Sequence, residues 1–332
     1  MSRIPAKLIS LIRDNRDFLI VSHLRPDGDA IASSLALSLV LKALGKRTVI
    51  FNQDAVPPNF AFLPGAGRIQ REGPPPFSPQ AVFLLDSPSP ERLGRGRDFL
   101  EKGLPTACID HHVSNLRYAG LNWVDADSPC TGEMILRLGA RLDVGLDRDL
   151  AECVYVSLLT DMGKFQFMTS PRSGAKVFAL AAHLTSFGLV PYEIYKKVFN
   201  VYSRGKLELL GVALNNLHVS RDGQIAYISL DRALTRRFHY FDDTNDGLIA
   251  HPRDLAATRV ALLFAEGDGK VKVSFRSKEP ACLDVNAIAT QFGGGGHPAA
   301  AGATVPGSLD SVRRRVLRAV RRALAGAPPR AS

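Results

Sequence analysis

The chain has no unbroken apolar run of the ~18 residues that a membrane span requires. Its longest apolar stretch, Ile31 to Leu44, is interrupted by Ser33, Ser34, Ser38 and Lys42. An integral helical membrane protein is therefore not expected. The first 17 residues mix Arg, Lys and Asp with apolar residues at helical spacing. They lack the apolar core and small-residue cleavage site of a secretory signal, so a cytoplasmic protein is expected. Cysteine is scarce and scattered: Cys108, Cys130, Cys153 and Cys282 include no CxxC pair. That spacing excludes a thiolate zinc site and a disulfide framework, and points to reduced, mostly buried thiols. No internal repeat occurs.

What is present is ordinary globular material. The 332 residues are 45% hydrophobic and 22% charged, enough apolar content for two cores rather than a disordered chain. The net charge of +10 is concentrated at one end. Seven arginines between Leu309 and Ser332 face a single acid, Asp310, and this tail supplies +6 of the excess. Leu309 to Leu324 carries Leu309, Val312, Val316, Leu317, Val320 and Leu324 on one helical face. A solvated arginine face is the expected reading, with weak attraction of an anionic substrate as the functional one.

The first half alternates short apolar runs with helical patterns, the signature of βα units and a parallel sheet. Expected strands are Phe18–His23, Arg47–Asn52, Ala81–Asp86 and Thr106–Asp110. Expected helices are Asp29–Leu44, closed by Gly45, then Asp147–Thr160, then one opened by Ser170-Pro171 and closed by Gly188. Pro57 to Pro79 reads as surface loop. Residues 191–216 read as a helical linker between a domain of residues 1–190 and one of residues 217–326. The second domain shows hairpin-like pairs around Asp222-Gly223 and around Glu266-Gly267-Asp268-Gly269. The expected class is α/β: a parallel-sheet N-terminal domain followed by a smaller α+β domain.

Four clusters carry the chemistry, each at the end of an expected element. They are His23-Leu24-Arg25-Pro26-Asp27-Gly28-Asp29, then Asp86, then Asp110-His111-His112, then Asp161. Ligands of parallel α/β sheets bind beyond the carboxyl ends of the strands, where three of these clusters fall. Five carboxylates and three histidines gathered in one crevice would repel one another unless cations neutralised them. Imidazole with carboxylate and no thiolate suits Mn²⁺ or Mg²⁺ best. A pair of such ions activates water and clamps a phosphoryl group.

A fifth cluster is Gly293-Gly294-Gly295-Gly296-His297-Pro298-Ala299-Ala300-Ala301-Gly302. Its glycines permit an anion-binding nest, and the small residues after His297 suggest a following helix aimed at a phosphate. Arg276, in Val273-Ser274-Phe275-Arg276-Ser277, can serve as a bidentate phosphate ligand beside it.

Taken in order, HLRPDGDA, LLDS, IDHH, TDMGKFQF, SFRS and GGGGHPAAAG resemble the DHH phosphoesterase family. The likeness spans Ile4 to about Ala325 and is greatest with its short two-domain branch of nanoRNases that also act as pAp phosphatases. Manganese inorganic pyrophosphatases share the first four clusters but not the glycine-rich one. The resemblance implies that His23, Asp27 and Asp86 hold one metal. It implies that Asp29, Asp86, His111 and Asp161 hold the other, with Asp86 bridging. It further implies catalytic roles for Asp86, for His112 facing the scissile phosphate and for Asp110 orienting its neighbours. Arg276, Ser277, Gly293, Gly294, Gly295, Gly296 and His297 would bind substrate, in a cleft between domains with the linker as hinge. Two positions depart from the pattern: Met162 stands where the family commonly has Thr or Ser, and Thr244-Asn245-Asp246-Gly247 differs from its usual Thr/Glu-Gly loop.

The expected function is metal-dependent hydrolysis of short oligoribonucleotides to mononucleotides and of 3′-phosphoadenosine 5′-phosphate (pAp) to AMP and phosphate. Two divalent ions serve as cofactors, Mn²⁺ first and Mg²⁺ second. Expected partners are short single-stranded RNA, pAp and linear pApA, with a homodimer as a further option and no membrane. The alternatives are a phosphodiesterase dedicated to cyclic di-AMP or pApA, and a nucleotide-sensing protein without catalysis.

Overall fold

The computed structural model describes residues 2–100, 102–165, 171–200, 203–241, 247–278 and 283–328. The chain divides into two compact units, residues 1–201 and 202–332.

The first unit holds α1 (Ala6–Asp14), β1 (Asp17–Ser22), α2 (Gly28–Ala43), β2 (Arg47–Phe51), β3 (Ala81–Leu85), β4 (Thr106–Asp110), β5 (Leu121–Val124), α3 (Thr131–Arg141), α4 (Arg148–Asp161), α5 (Pro171–Thr185) and α6 (Pro191–Phe199). Its sheet runs β2-β1-β3-β4-β5 with every neighbouring pair parallel. Both faces are covered, which is why β1 and β3 read as continuous apolar runs rather than alternating ones. Phe18, Ile20, Phe83 and Ile109 pack against the helices. Leu19, Val21, Val82 and Leu84 pack against Leu93 and Phe99 of a 3₁₀ stretch, Pro90–Phe99. Helix α2 lies at the centre, with residues as polar as Ser33, Ser34 and Asp29 buried. The Ser34 hydroxyl donates to the Ala30 carbonyl at 2.7 Å, so the helix satisfies its own buried polar group.

The expected strands and helices of this unit are present within a residue or two of their ends. Gly45 and Gly188 close helices with φ of 73° and 79°, and Asp147 caps α4 by accepting from the Leu150 amide at 2.8 Å. Ser170, expected as a cap, lies outside the described residues. Strand β5 escapes the sequence pattern because it is four residues long and carries Asn122 at its middle; burial of Trp123 anchors it. The loop after β2 is more ordered than its composition suggests, burying Phe60, Leu63 and Ala66 in short 3₁₀ turns.

The second unit holds α7 (Arg204–Asn215), β6 (Leu217–Val219), β7 (Ile225–Leu230), α8 (Arg232–Arg237), α9 (Ala250–Asp254), β8 (Val260–Glu266), β9 (Lys270–Ser277), α10 (Val285–Thr290), β10 (Gly295–His297), β11 (Ala300–Pro306) and α11 (Leu309–Ala325). Its mixed sheet runs β10-β11-β9-β8-β7-β6. The stretch 191–216 is divided between the units: α6 buries Ile194 and Val198 in the first core, while α7 buries Leu209 and Ala213 in the second.

One expectation is corrected. No helix follows His297; Gly295–His297 and Ala300–Gly302 pair as an antiparallel hairpin. The segment Ala300–Pro306 then pairs along its whole length with β9. Seven cross-strand pairings outweigh the helix preference of three alanines. A side chain at Gly294 or Gly296 would collide with the backbone of the facing strand, so these glycines serve close strand approach. Cys108, Cys130 and Cys153 are buried free thiols, as expected; Cys282 lies outside the described residues, as do residues 244–246. Among the described residues no helix is long and apolar enough to cross a membrane.

Candidate metal centre

Parallel register brings the chemistry together. Ser22 pairs with Leu85, so His23 and Asp86 follow side by side. The Asp86 amide donates to the Ile109 carbonyl at 3.1 Å, which sets Asp86 next to the Asp110-His111-His112 corner. Asp86 turns out of its strand in the left-handed region, φ 53°. That conformation is uncommon for a residue other than glycine and better tolerated by Asp and Asn. Asp27 caps α2, accepting from the Ala30 amide at 3.1 Å, and Asp29 sits in the first turn. Asp161 is the last residue of α4.

The side chains form three overlapping groups whose ligand atoms lie within 4.8 Å of one another: His23, Asp27 and Asp86; Asp29, His111 and Asp161; and Asp86, His111 and His112. Asp86 belongs to two of them, one oxygen 3.5 Å from His23 Nε2 and the other 3.7 Å from His111 Nε2. His111 Nε2 also stands 3.4 Å from Asp161 and 3.7 Å from Asp29. These separations are too long for hydrogen bonds. They suit neighbouring donors around one ion with bonds of about 2.1 Å. His111 Nε2 is buried and has no hydrogen-bond partner, a costly orphan that a cation would satisfy. Nδ1 of His23 is 2.7 Å from the Leu24 carbonyl, and Nδ1 of His111 is 3.4 Å from the Ser128 carbonyl. With Nδ1 turned to the backbone in each ring, both Nε2 atoms face the carboxylates; His23 Nδ1 also stands 3.0 Å from Arg92 Nη2. The residues therefore fit a divalent cation.

Charge crowding makes the same point. Burial first, then repulsion from Asp86 and Asp27, pushes the Asp161 carboxyl up to about 8. Burial with Asp86 and Asp161 raises Asp29 well above the carboxylate range. Asp29 nevertheless accepts from Thr131 N at 2.8 Å, from Gly132 N at 3.3 Å and from the Ser157 hydroxyl. The start of α3 and the buried face of α4 thus aim it at the centre. For the histidines burial opposes the charge, but the carboxylates outweigh it, holding His23 at about 10 and His112 at about 9. The half-exposed Asp27 is held at about 2: burial raises it and the His23 pair overcomes this.

His112 Nδ1 lies 2.7 Å from Asp110 Oδ1. The other oxygen of fully buried Asp110 accepts from Asn115 Nδ2 at 2.5 Å. Sequence reasoning missed Asn115, Thr131, Gly132 and Ser157. Asn115 alone was within sight, five residues beyond Asp110. Replacing Asn115 with alanine frees Asp110 to rotate. The expected result is a loss of phosphoester hydrolysis of about 10–100-fold, with a lower melting temperature, because Asn115 also donates to the Ser87 carbonyl and accepts from the Arg117 amide.

Gly28 lets α2 meet α4, because a methyl group there would overlap the Thr160 side chain. Gly28→Ala is expected to cost about 1–3 kcal/mol of stability and to weaken metal binding by displacing Asp27 and Asp29. A thermal melt and a metal titration of the same preparation check both.

In the second unit, Arg276 pairs with Ala300, and Ala300 with His297, so the register carries Arg276 and the glycine hairpin to one end of the sheet. The Ser277 amide donates to the Ala299 carbonyl at 2.9 Å, tying β9 to the hairpin's turn.

A parallel sheet with clustered carboxylates and imidazoles beyond its strand ends, joined to a mixed-sheet unit, defines a metal-dependent phosphoesterase. The chain belongs to the DHH family. Residues 17–158 match the family's N-terminal domain and residues 245–326 match the DHHA1 domain. It is 32% identical over 314 residues to a bifunctional oligoribonuclease and PAP phosphatase of Thermus thermophilus, covering 92% of this chain and 89% of that one. A Bacillus subtilis protein of the same description is 26% identical over 90% of this chain and 92% of its own. The crystal structure of an exopolyphosphatase-related protein from Bacteroides fragilis superposes with a TM-score of 0.86 at 25% identity, covering 97% of this chain and 98% of the other.

Proposed function

We propose that the protein hydrolyses short oligoribonucleotides to mononucleotides and pAp to AMP and phosphate, with pApA as a further short substrate. The observation that carries this reading is Asp86, shared between two ligand groups and facing the orphaned Nε2 of His111. His23, Asp27 and Asp86 would hold one divalent ion; Asp29, Asp86, His111 and Asp161 would hold a second, Mn²⁺ before Mg²⁺. When bound, such ions bring the pKa of a water down to near 7 and neutralise phosphoryl oxygens.

The chain's own residues supply the rest. His112 carries a proton at neutral pH, and Nδ1–H donates to Asp110. Nε2 then holds the proton that the departing oxygen takes as water adds at phosphorus and the P–O bond breaks. Asp110, fixed by Asn115, keeps that ring oriented and its charge compensated. Arg276, Ser277 and the backbone of Gly293, Gly294, Gly295, Gly296 and His297 are assigned to a substrate phosphate. The shared sheet end supports that assignment.

The test is product release from a 5′-labelled RNA dinucleotide, pApA and pAp with Mn²⁺ and after chelation. Metal-dependent turnover of the dinucleotide and pAp is expected. No turnover of any of the three with Mn²⁺ present overturns the reading.

A further inference from the structure

Helix α11 buries Val312, Val316, Leu317 and Val320 against the second core. Its other side is almost entirely arginine. Arg314, Arg318 and Arg321 follow at i, i+4 and i+7, one continuous stripe. Arg313 is paired with Asp310, and Arg315 lies over the Phe292 ring at 5.8 Å. Among the described residues no carboxylate comes within 4.0 Å of Arg314, Arg318, Arg321 or Arg322. Cations held so close together without acids are poised for a polyanion.

One aromatic side chain, stacked on a second, faces them. A groove of about 640 Å³ is lined by these arginines and by Tyr227 of β7. His218 of β6 is the cross-strand partner of Tyr227, and the two rings stack at 5.0 Å with an angle of 22°. Tyr227 is braced from within by Phe264, edge-on at 5.9 Å. Strand β6 is the sheet edge, and His218 is exposed there.

We propose that this groove binds a single-stranded RNA chain, phosphates on the arginine stripe and an unpaired base on the Tyr227–His218 pair. Charge and ring side by side are the requirements of single-strand recognition. An anionic membrane would want large apolar side chains among the exposed positions of α11, and those positions are five arginines with Asp310 and Ala325 at the ends. The proposal stands on the second unit alone and does not depend on what the metal centre hydrolyses.

The experiment is fluorescence anisotropy of a labelled oligouridylate of about 12 nucleotides, read across a salt series. It uses the full chain carrying Asp86→Asn so that the strand survives. The pair Arg318→Ala/Arg321→Ala is expected to weaken binding about tenfold or more and to flatten the log–log salt slope by about 1.4, at ~0.7 per lost phosphate contact. Tyr227→Leu is expected to weaken binding about fivefold or more without changing the slope, while Tyr227→Phe retains it. In an otherwise native chain the arginine pair leaves pAp turnover unchanged. Equal weakening by Arg315→Ala with a silent Tyr227→Leu means diffuse attraction and overturns the groove. Displacement of the strand by phosphatidylglycerol vesicles, with Tyr227→Leu again silent, overturns RNA as the occupant. Loss of pAp turnover in the arginine pair overturns a separate site. Absence of pAp turnover in the native chain counts against the hydrolase reading and leaves this binding test intact.

Discussion

Asp86→Asn is expected to lower Mn²⁺-dependent dinucleotide hydrolysis by about 1,000-fold or more, about 4 kcal/mol of transition-state stabilisation. Asparagine is the informative substitute because the backbone at this position is left-handed, φ 53°, and Asn accepts that conformation with little strain. The side chain keeps its shape and its hydrogen bond from the Thr131 hydroxyl at 3.2 Å. What it loses is charge, and that charge acts on acids and bases alike: it raises Asp29 and Asp161, and it also raises His23 and His112. Asp86 is the largest coulombic contributor raising both Asp29 and Asp161. Its neutralisation relieves repulsion on the two carboxyls but also removes attraction for the His23 and His112 imidazoliums. With these effects opposed, the variant should melt close to the native chain without metal, and it should gain much less from added Mn²⁺. A merely misfolded variant would melt lower in both conditions, so the paired melts separate a functional carboxylate from a structural one.

Much of this centre was legible because parallel sheets place chemistry at strand ends, and His23, Asp86 and Asp110 each follow a short apolar run that only a buried strand explains. The residues that orient these ligands were not legible. Thr131 and Ser157 reach Asp29 across 102 and 128 positions of sequence. No local pattern records such contacts, since each residue alone reads as an ordinary cap or a buried hydroxyl. The glycine cluster misled for a different reason. Pro298 followed by three alanines resembles a helix start, but pairing with β9 is a tertiary gain that local preference does not contain. Tyr227 has a similar history. The arginine helix has no aromatic residues of its own, and the sheet, not the chain neighbours, brings one beside it.

Raising the pH from about 6.5 to 9 is expected to destabilise the metal-free chain by a few kcal/mol, a fall of about 5 °C or more in melting temperature. The sign follows from where each proton is held. Asp161 is raised from 3.8 to about 8, so the folded state binds a proton that the unfolded state has released above pH 4. Its contribution is progressively lost as pH climbs between those values. His23 and His112 are raised from 6.5 to about 10 and about 9. Their contributions are complete below 6.5 and vanish as pH passes through the folded values. Asp29 acts in the same direction as Asp161. Asp27 is lowered to about 2, so its stabilisation is already complete above 3.8 and does not change in this window. All the changing groups therefore have the folded state binding more protons, and stability must fall with pH. A cation reverses this trend, because it binds the deprotonated ligands and expels those protons. At saturating Mn²⁺ the melting temperature should hold or rise over the same range. Titration calorimetry at pH 7 in buffers of different ionisation enthalpy should register protons released on loading. A metal-free chain that melts higher at pH 9 than at 6.5, with no proton release on loading, would mean that the carboxylates are not competing for the space a metal takes.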